Sequence, residues 1–419
     1  RFKRGNRWGV FPGVSAGWRV NEENFLKNLG LFSNLKLRAS WGQLGNQMID
    51  NYWPYLTVID QNYGSSYNNG GTLAPGAAVT ALVDQNITWE TTSTLDFGVD
   101  VGLLNNRLNI EADYFHKKTT DIIVQLPIPS LMGGLTAPYE NVGEMINNGV
   151  ELSVTYSNNT TDRNKLGYSI GGNVTHINNY VSRFRGGESP DQLYLIREGY
   201  SYKTLYGYKA EGVYQTKEEA YSHMHANGHK PEAGNLKFKD LNNDGKLGFE
   251  DKQELGNSIP KLTYGINASL SYKGFDLSMI FQGVGLANAF TKTSMTSMEY
   301  EHLNVAEFWR DAWSPENTSS KIPSLKFDSS WDNLESSFWV HRIDFLKLKN
   351  IQFGYTLPEA ITSCLKLQKV SFYANAQNVF TILWKKGYEG YDPERGSFDA
   401  GGGAYPTPRI ISFGLNLNF

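Results

Sequence analysis

Alternation with a period of two runs through most of the chain, and it predicts β-strands with one apolar and one polar face. Between Thr94 and Leu103 the apolar phase is Leu95, Phe97, Val99, Val101 and Leu103, and the other phase is Thr94, Asp96, Gly98, Asp100 and Gly102. Leu108, Ile110, Ala112 and Tyr114 repeat the pattern against Arg107, Asn109, Glu111 and Asp113. So do Val150 to Tyr156, Tyr264 to Tyr272, and the final Ile411, Phe413, Leu415, Leu417 and Phe419. Eleven strands are expected, near 14–20, 35–42, 89–103, 107–118, 148–157, 165–176, 263–272, 275–284, 341–356, 368–380 and 409–419. Their links alternate in length. Leu104 to Asn106, Asn158 to Asn164 and Lys273-Gly274 are short; 43–88, 177–262, 285–340 and 381–408 are long. Helix is expected only inside long loops: a capping box at Thr216-Lys-Glu-Glu219 ending near Asn227-Gly228, and a turn over Glu307 to Trp313.

Long loops on one side only are unlike a soluble sandwich and match an outer-membrane barrel, which has short periplasmic turns and long outer loops. Composition agrees. Across 419 residues the chain has 42 Gly and 13% aromatics, a strand-and-turn mixture. The net charge of -3 argues against a basic nucleic-acid surface. A single cysteine excludes a disulfide framework within the chain. No apolar run approaches the ~18 residues of a membrane helix, which leaves a barrel open because alternate barrel residues face water. The first residue, Arg1, lies in a polar-aromatic stretch that reads as mid-protein, so residues 1–419 are expected to be the C-terminal part of a longer chain.

The most specific chemical motif is Asp240-Leu-Asn242-Asn-Asp244-Gly245-Lys246-Leu247-Gly-Phe-Glu-Asp251. It sets oxygen ligands at positions 1, 3 and 5, Gly at 6, a backbone carbonyl at 7 and a carboxylate at 12, the spacing a hard cation requires. Asp240, Asn242, Asp244, Lys246 through its carbonyl, and Asp251 are therefore the candidate ligands of a structural Ca²⁺ in an outer loop. Asp251 in place of Glu makes the loop more like a dockerin loop than an EF-hand; the competing reading is a solvated Asx-rich turn.

Other motifs carry less. Gly13-Val-Ser15-Ala-Gly17 has the nucleophile-elbow spacing, but a strand follows it where that elbow needs a helix. His223, His225 and His229 are spaced i, i+2, i+6, which does not converge three imidazoles on one helix face. Cys364 reads as a small apolar residue at a turn, and Glu111 and Asp113 as solvated wall residues. Gly401-Gly-Gly403 has no helix after it and is no phosphate cradle. Trp41, Trp89, Tyr156 and Tyr272 are expected in interface girdles. The loop aromatics Trp53, Tyr55, Trp309, Trp313, Tyr388 and Tyr391 suit sugar stacking and loop packing equally.

Several long segments resemble the barrel of SusC/RagA-type TonB-dependent transporters. They are Gly5-Asn-Arg-Trp-Gly-Val-Phe-Pro-Gly-Val-Ser-Ala-Gly-Trp-Arg19, Leu35-Lys-Leu-Arg-Ala-Ser-Trp-Gly-Gln-Leu-Gly-Asn46, Asn141-Val-Gly-Glu-Met-Ile-Asn-Asn-Gly-Val-Glu-Leu152, Phe238 to Gly245, Tyr272 to Ser278 and Pro406 to Phe419. The resemblance implies a 22-stranded all-β transmembrane barrel around an N-terminal plug. On that reading the plug and the first barrel strands lie outside this chain, which holds about eleven strands. The resemblance further implies residence in the outer membrane lipid of a Gram-negative bacterium, a SusD-like lipoprotein partner, drive from the TonB complex, and import of a glycan or oligopeptide without enzymatic chemistry. A dimer of SusC–SusD pairs is compatible with it. A siderophore or vitamin receptor is the alternative within transport, disfavoured by the long loops. A secreted, calcium-stabilised, glycan-binding β-sandwich is the alternative outside it; its apolar strand faces would be buried against a second sheet.

Overall fold

The computed structural model describes the chain except residues 28–29, 62–65, 159, 161, 187–188, 191–192, 223–229, 293–306, 327–329, 365, 385–391 and 396–406. Eleven antiparallel strands form one sheet in chain order: β1 Gly13–Arg19, β2 Phe32–Asn46, β3 Glu90–Leu103, β4 Leu108–Gln125, β5 Tyr139–Ser157, β6 Gly167–Phe184, β7 Leu262–Tyr272, β8 Phe275–Gly285, β9 Phe345–Thr356, β10 Lys369–Leu383 and β11 Ile410–Asn418. Every wall strand pairs with its neighbour in sequence, so the sheet is an uninterrupted up-and-down meander. This matches the expected eleven-strand order. β4, β5 and β6 run several residues further toward the long-loop side than alternation indicates, and residues 341–344 fall outside β9, with Val340–Arg342 pairing instead with Asn288–Phe290.

The apolar phase is uncovered. Leu95 and Phe97 on β3 are 36% and 51% exposed, and Val150, Ile170, Ile266, Phe353 and Phe372 on the strands that follow are all exposed. Among the described residues no second sheet buries them, which removes the sandwich alternative. From Leu95 to Leu103 the row spans about 26 Å along the strand at ~3.3 Å per residue, or about 20 Å along the membrane normal at a tilt of ~40°. One end of this band is an aromatic girdle. Tyr156 packs 5.8 Å from Tyr168, and Phe275 lies 4.4 Å from Tyr355 and 5.8 Å from Phe353. Tyr272 stands opposite Phe275, and Tyr355 opposite Phe372. At the other end Trp41 donates to Ser93 and the His116 ring bonds Asn148 at 2.6 Å. Trp89 differs from the expected lipid girdle. Phe2 and Phe11 pack edge-on against it, and its indole donates to the Asn6 carbonyl.

The short links lie on the girdle side. Lys273 (φ 48°) and Gly274 (φ 87°) make the two-residue hairpin β7–β8, with the positive dihedrals such a turn needs. A Cβ on Gly274 would also come within 2.5 Å of the Thr356 carbonyl.

The long loops on the opposite side are folded. The segments after β6 and β8 contribute short strands, among them Thr204–Tyr208 paired with Lys252–Asn257 and Ala210–Val213 paired with Leu236–Phe238. Together they bury two apolar cores. One joins Tyr208, Val213, Leu236, Phe238, Leu247 and Trp331; the other joins Leu205, Phe290, Trp309 and Trp339. The helix expected after Thr216 spans Lys217–Ser222, with Thr216 Oγ1 accepting from the Glu219 amide and Glu219 accepting from the Gln215 amide. Its expected end at Asn227-Gly228 lies outside the described residues. The second expected helix is a 3₁₀ turn at Glu307–Asp311.

Candidate functional site

The polar phase of the sheet forms the lumen wall. Asp96, Asp100, Glu111 and Asp113 all alternate with the exposed apolar row and share this face, as expected. The register brings Arg38 of β2 opposite Gly98 of β3, and Gly98 opposite Asp113 of β4. Arg38 crosses the gap and binds Asp100 at 2.7 Å and Asp113 at 2.9 Å. Gly98 makes the crossing feasible: a Cβ there would sit 2.1 Å from Asp113 Oδ1 and 2.6 Å from Arg38 Cζ. Two carboxylates sharing one guanidinium are thereby held as a fixed, charge-assisted cluster.

A second ionic cluster lies at the long-loop end of β9. Lys347, only 2% exposed, binds Asp392 at 2.7 Å and Glu394 at 2.8 Å; Lys349 binds Glu394 at 2.8 Å. Register shifts between Leu348 and Asn350, where Asn378 adopts φ 52°, let Lys347 and Lys349 serve one partner. Burial alone would raise the pKa of Asp392 and Glu394, but hydrogen bonds outweigh it and hold both below ordinary carboxylate values: from Lys347, Thr407 and the Glu394 amide to Asp392, and from Lys347 and Lys349 to Glu394. Sequence reading missed this cluster. Its signal was two lysines in a wall strand, which a lumen tolerates only with partners nearby.

The five expected cation ligands lie in one closed loop. Asp240 accepts from the amides of Asn243 (2.6 Å) and Gly245 (2.9 Å), Asn242 from that of Asp244, and Asp244 from that of Lys246. Asn243 and Gly245 take positive φ, which curls the chain into this closed turn. Asp251 is fully buried, with its two oxygens accepting from Leu241 and Gly248. It pins the loop shut. Among the described residues no three acidic, imidazole or thiol side chains converge as a metal cluster. Above the loop, burial and then the neighbouring Asp251 and Glu335 charges push the Tyr208 hydroxyl up to about 12.

The remaining candidates separate cleanly. Ser15 sits mid-strand opposite Ser40, so the elbow geometry is absent there. Trp309 is 6% exposed in a loop core, and Trp313 packs against the other while donating to Gln215, which favours loop packing for both. Trp53 is exposed. Cys364 is exposed at the end of the short helix Glu359–Cys364, its thiol donating to the Ala360 carbonyl. His223, His225, His229, Tyr388, Tyr391 and Gly401 to Gly403 lie outside the described residues.

Residues 1–379 match the family model described as TonB dependent receptor-like, beta-barrel. TonB-dependent receptor P3 of Formosa agariphila is 30% identical over 441 residues, covering all of this chain and 42% of the relative. TonB-dependent receptor SusC of Bacteroides thetaiotaomicron is 30% identical over 431 residues, covering all of this chain and 41% of the relative. Among solved structures, the RagAB peptide transporter superposes with a TM-score of 0.81 at 23% identity, over the whole chain and 44% of its counterpart. The chain thus spans less than half the length of the curated relatives it matches.

Proposed function

The chain belongs to the family of TonB-dependent receptor-like β-barrels, outer-membrane proteins of Gram-negative bacteria, and from that premise we propose that it forms the later wall and outer loops of an importer driven by the TonB complex. Its cargo on this reading is an oligomer, a glycan or an oligopeptide, delivered by a SusD-like lipoprotein seated over the long loops. The observation that carries the reading is the single meander with a lipid-facing apolar band, a polar inner face and the long folded loops on one side. A peptide cargo draws support from the description of RagAB as a peptide transporter, and the SusD-like partner from the likeness to SusC. Affinity purification of the complete protein from its own outer membrane tests the partner: a SusD-like lipoprotein should co-purify in near-stoichiometric amount. Growth of a deletion strain on defined glycans or peptides as sole nutrient tests the cargo, and an undiminished strain on both would sink the reading.

Ca²⁺ in the 240–251 loop belongs to the same proposal. The supporting observations are the ligand spacing and the tight turn in which Asp240, Asn242 and Asp244 accept from loop amides. Calcium would stiffen the loop against the Tyr208–Phe238 core beside it. Millimolar Ca²⁺ should protect this loop from proteolysis relative to chelator, and Asp244→Ala should remove the difference. Equal cleavage in calcium and chelator would leave the loop as a pinned turn.

A further inference from the structure

The lumen wall changes character partway round the barrel. On β1 to β5 the inner phase carries Arg19, Lys36, Arg38, Asp96, Asp100, Glu111, Asp113, Lys117 and Glu151. On β6 to β11 the same phase reads Ser169, Gly171, Asn173 and Thr175; Thr263, Gly265, Asn267 and Ser269; Ser278, Ile280 and Gln282; Asn350 and Gln352; Tyr373, Asn375 and Gln377; Ser412, Gly414 and Asn416. Among the described residues charge returns only toward the ends: Asp276 and Lys369 at the girdle end, and the partnered Lys347, Lys349 and Arg183 at the mouth. Six consecutive strands therefore present hydroxyls and amides with no formal charge between the two ends. A recess of about 480 Å³ opens on this side toward the girdle end, bordered by Ser169, Ser269, Ser278 and Gln352, with Asp276 the one charged residue in its lining.

The two walls suit different tasks. A fixed charge holds whatever pairs with it, and must lose that partner before anything slides past. Hydroxyl and amide groups both donate and accept, so a hydrated chain moving along them exchanges one weak hydrogen bond for an equivalent one. Lumen-facing residues are also where barrel selectivity is set. We propose that cargo crosses the barrel along the uncharged wall of β6 to β11, and that the charged wall of β1 to β5 is the stationary side of the passage. The inference rests on the importer reading and narrows it: the cargo is recognised in transit through hydroxyl and amide groups, as an uncharged polar chain and not as a polyanion.

Single cysteines in the complete protein, in its own membrane and with Cys364 replaced by Ser, test this. Ser269→Cys and Asn375→Cys report the uncharged wall; Ser40→Cys and Ser153→Cys report the charged one. The probe is an uncharged biotin maleimide, applied to energised cells and to cells treated with a protonophore. Energisation should raise labelling severalfold at 269 and 375 and leave 40 and 153 unchanged. Anionic and cationic methanethiosulfonates of equal size should modify Ser269→Cys at similar rates, whereas Ser153→Cys, opposite Glu111, should favour the cation. A rise shared by both walls, or confined to the charged one, overturns the inference and leaves the importer reading standing. No response to energisation at any of the four positions overturns both. Membrane abundance and full labelling after denaturation identify any variant that fails to assemble, and two positions per wall keep each arm readable.

Discussion

Arg38 holds two carboxylates that sit diagonally from each other on the adjacent strands β3 and β4, and Gly98 supplies the space for it. Arg38→Ala should destabilise the folded barrel by about 1–3 kcal/mol, since the group is partly solvated and loses less than a fully buried pair would. The urea midpoint in detergent or bilayer measures this, and Asp113→Asn in the Arg38→Ala background should recover part of the loss. A midpoint that does not move would show that water alone suffices there. Lys347, Asp392 and Glu394 give a pH dependence with a defined sign. Both carboxylates have folded pKa values below their ordinary 3.8 and 4.5, so their contribution is complete above those values and lost as pH falls through the lower, folded ones. Hydrogen exchange at the Glu394 amide, which donates to Asp392, should stay slow at neutral pH and become fast only in strong acid, after correction for the intrinsic rate. Lys347→Met should make it fast at neutral pH; protection that survives this change would mean that the loop is held by something other than the lysine.

At the level of elements, the strands were the most legible part of the chain because lipid on one side and water on the other impose a strict two-residue period. All eleven are readable from that period. It failed where the environment stops imposing it: β4 continues to Gln125, β5 begins at Tyr139 and β6 continues to Phe184, beyond the apolar band, where both faces meet water or loops. Val142, Val181 and Phe184 form a small core there that no local pattern announces. The cation loop was legible as a spacing, whereas the Lys347 cluster joins residues 45 apart in sequence and was not. β11 carries its own prediction. Its row from Ile411 to Phe419 is exposed at the sheet edge, and Phe419 is 83% exposed. Deletion of Phe419 from the complete protein should lower its outer-membrane level if this strand is read as an assembly signal; unchanged abundance by surface quantification would exclude that role.

On the scale of the whole molecule, the barrel wall and the outer loops are stabilised differently. The wall is an extended sheet whose apolar side needs lipid, while the loops have dry cores of their own around Phe238, Trp331 and Trp339. Phe238 is fully buried, so Phe238→Ala should cost the loop unit about 3–5 kcal/mol. The barrel should remain resistant to denaturation while protease cuts appear within 193–257. Simultaneous loss of both would show that they unfold as one unit.

Those loop cores are assembled from chain on both sides of the β7–β8 hairpin: Leu205 to Leu247 precede it, and Phe290 to Trp339 follow. Once the cores have closed, the hairpin is threaded like a bolt whose two ends are knotted together on the far side of the membrane. It cannot slip back unless the knot is first undone. Closure outside therefore acts as a pawl on insertion, opposing withdrawal of the hairpin and turning a reversible dip into the bilayer into a committed crossing.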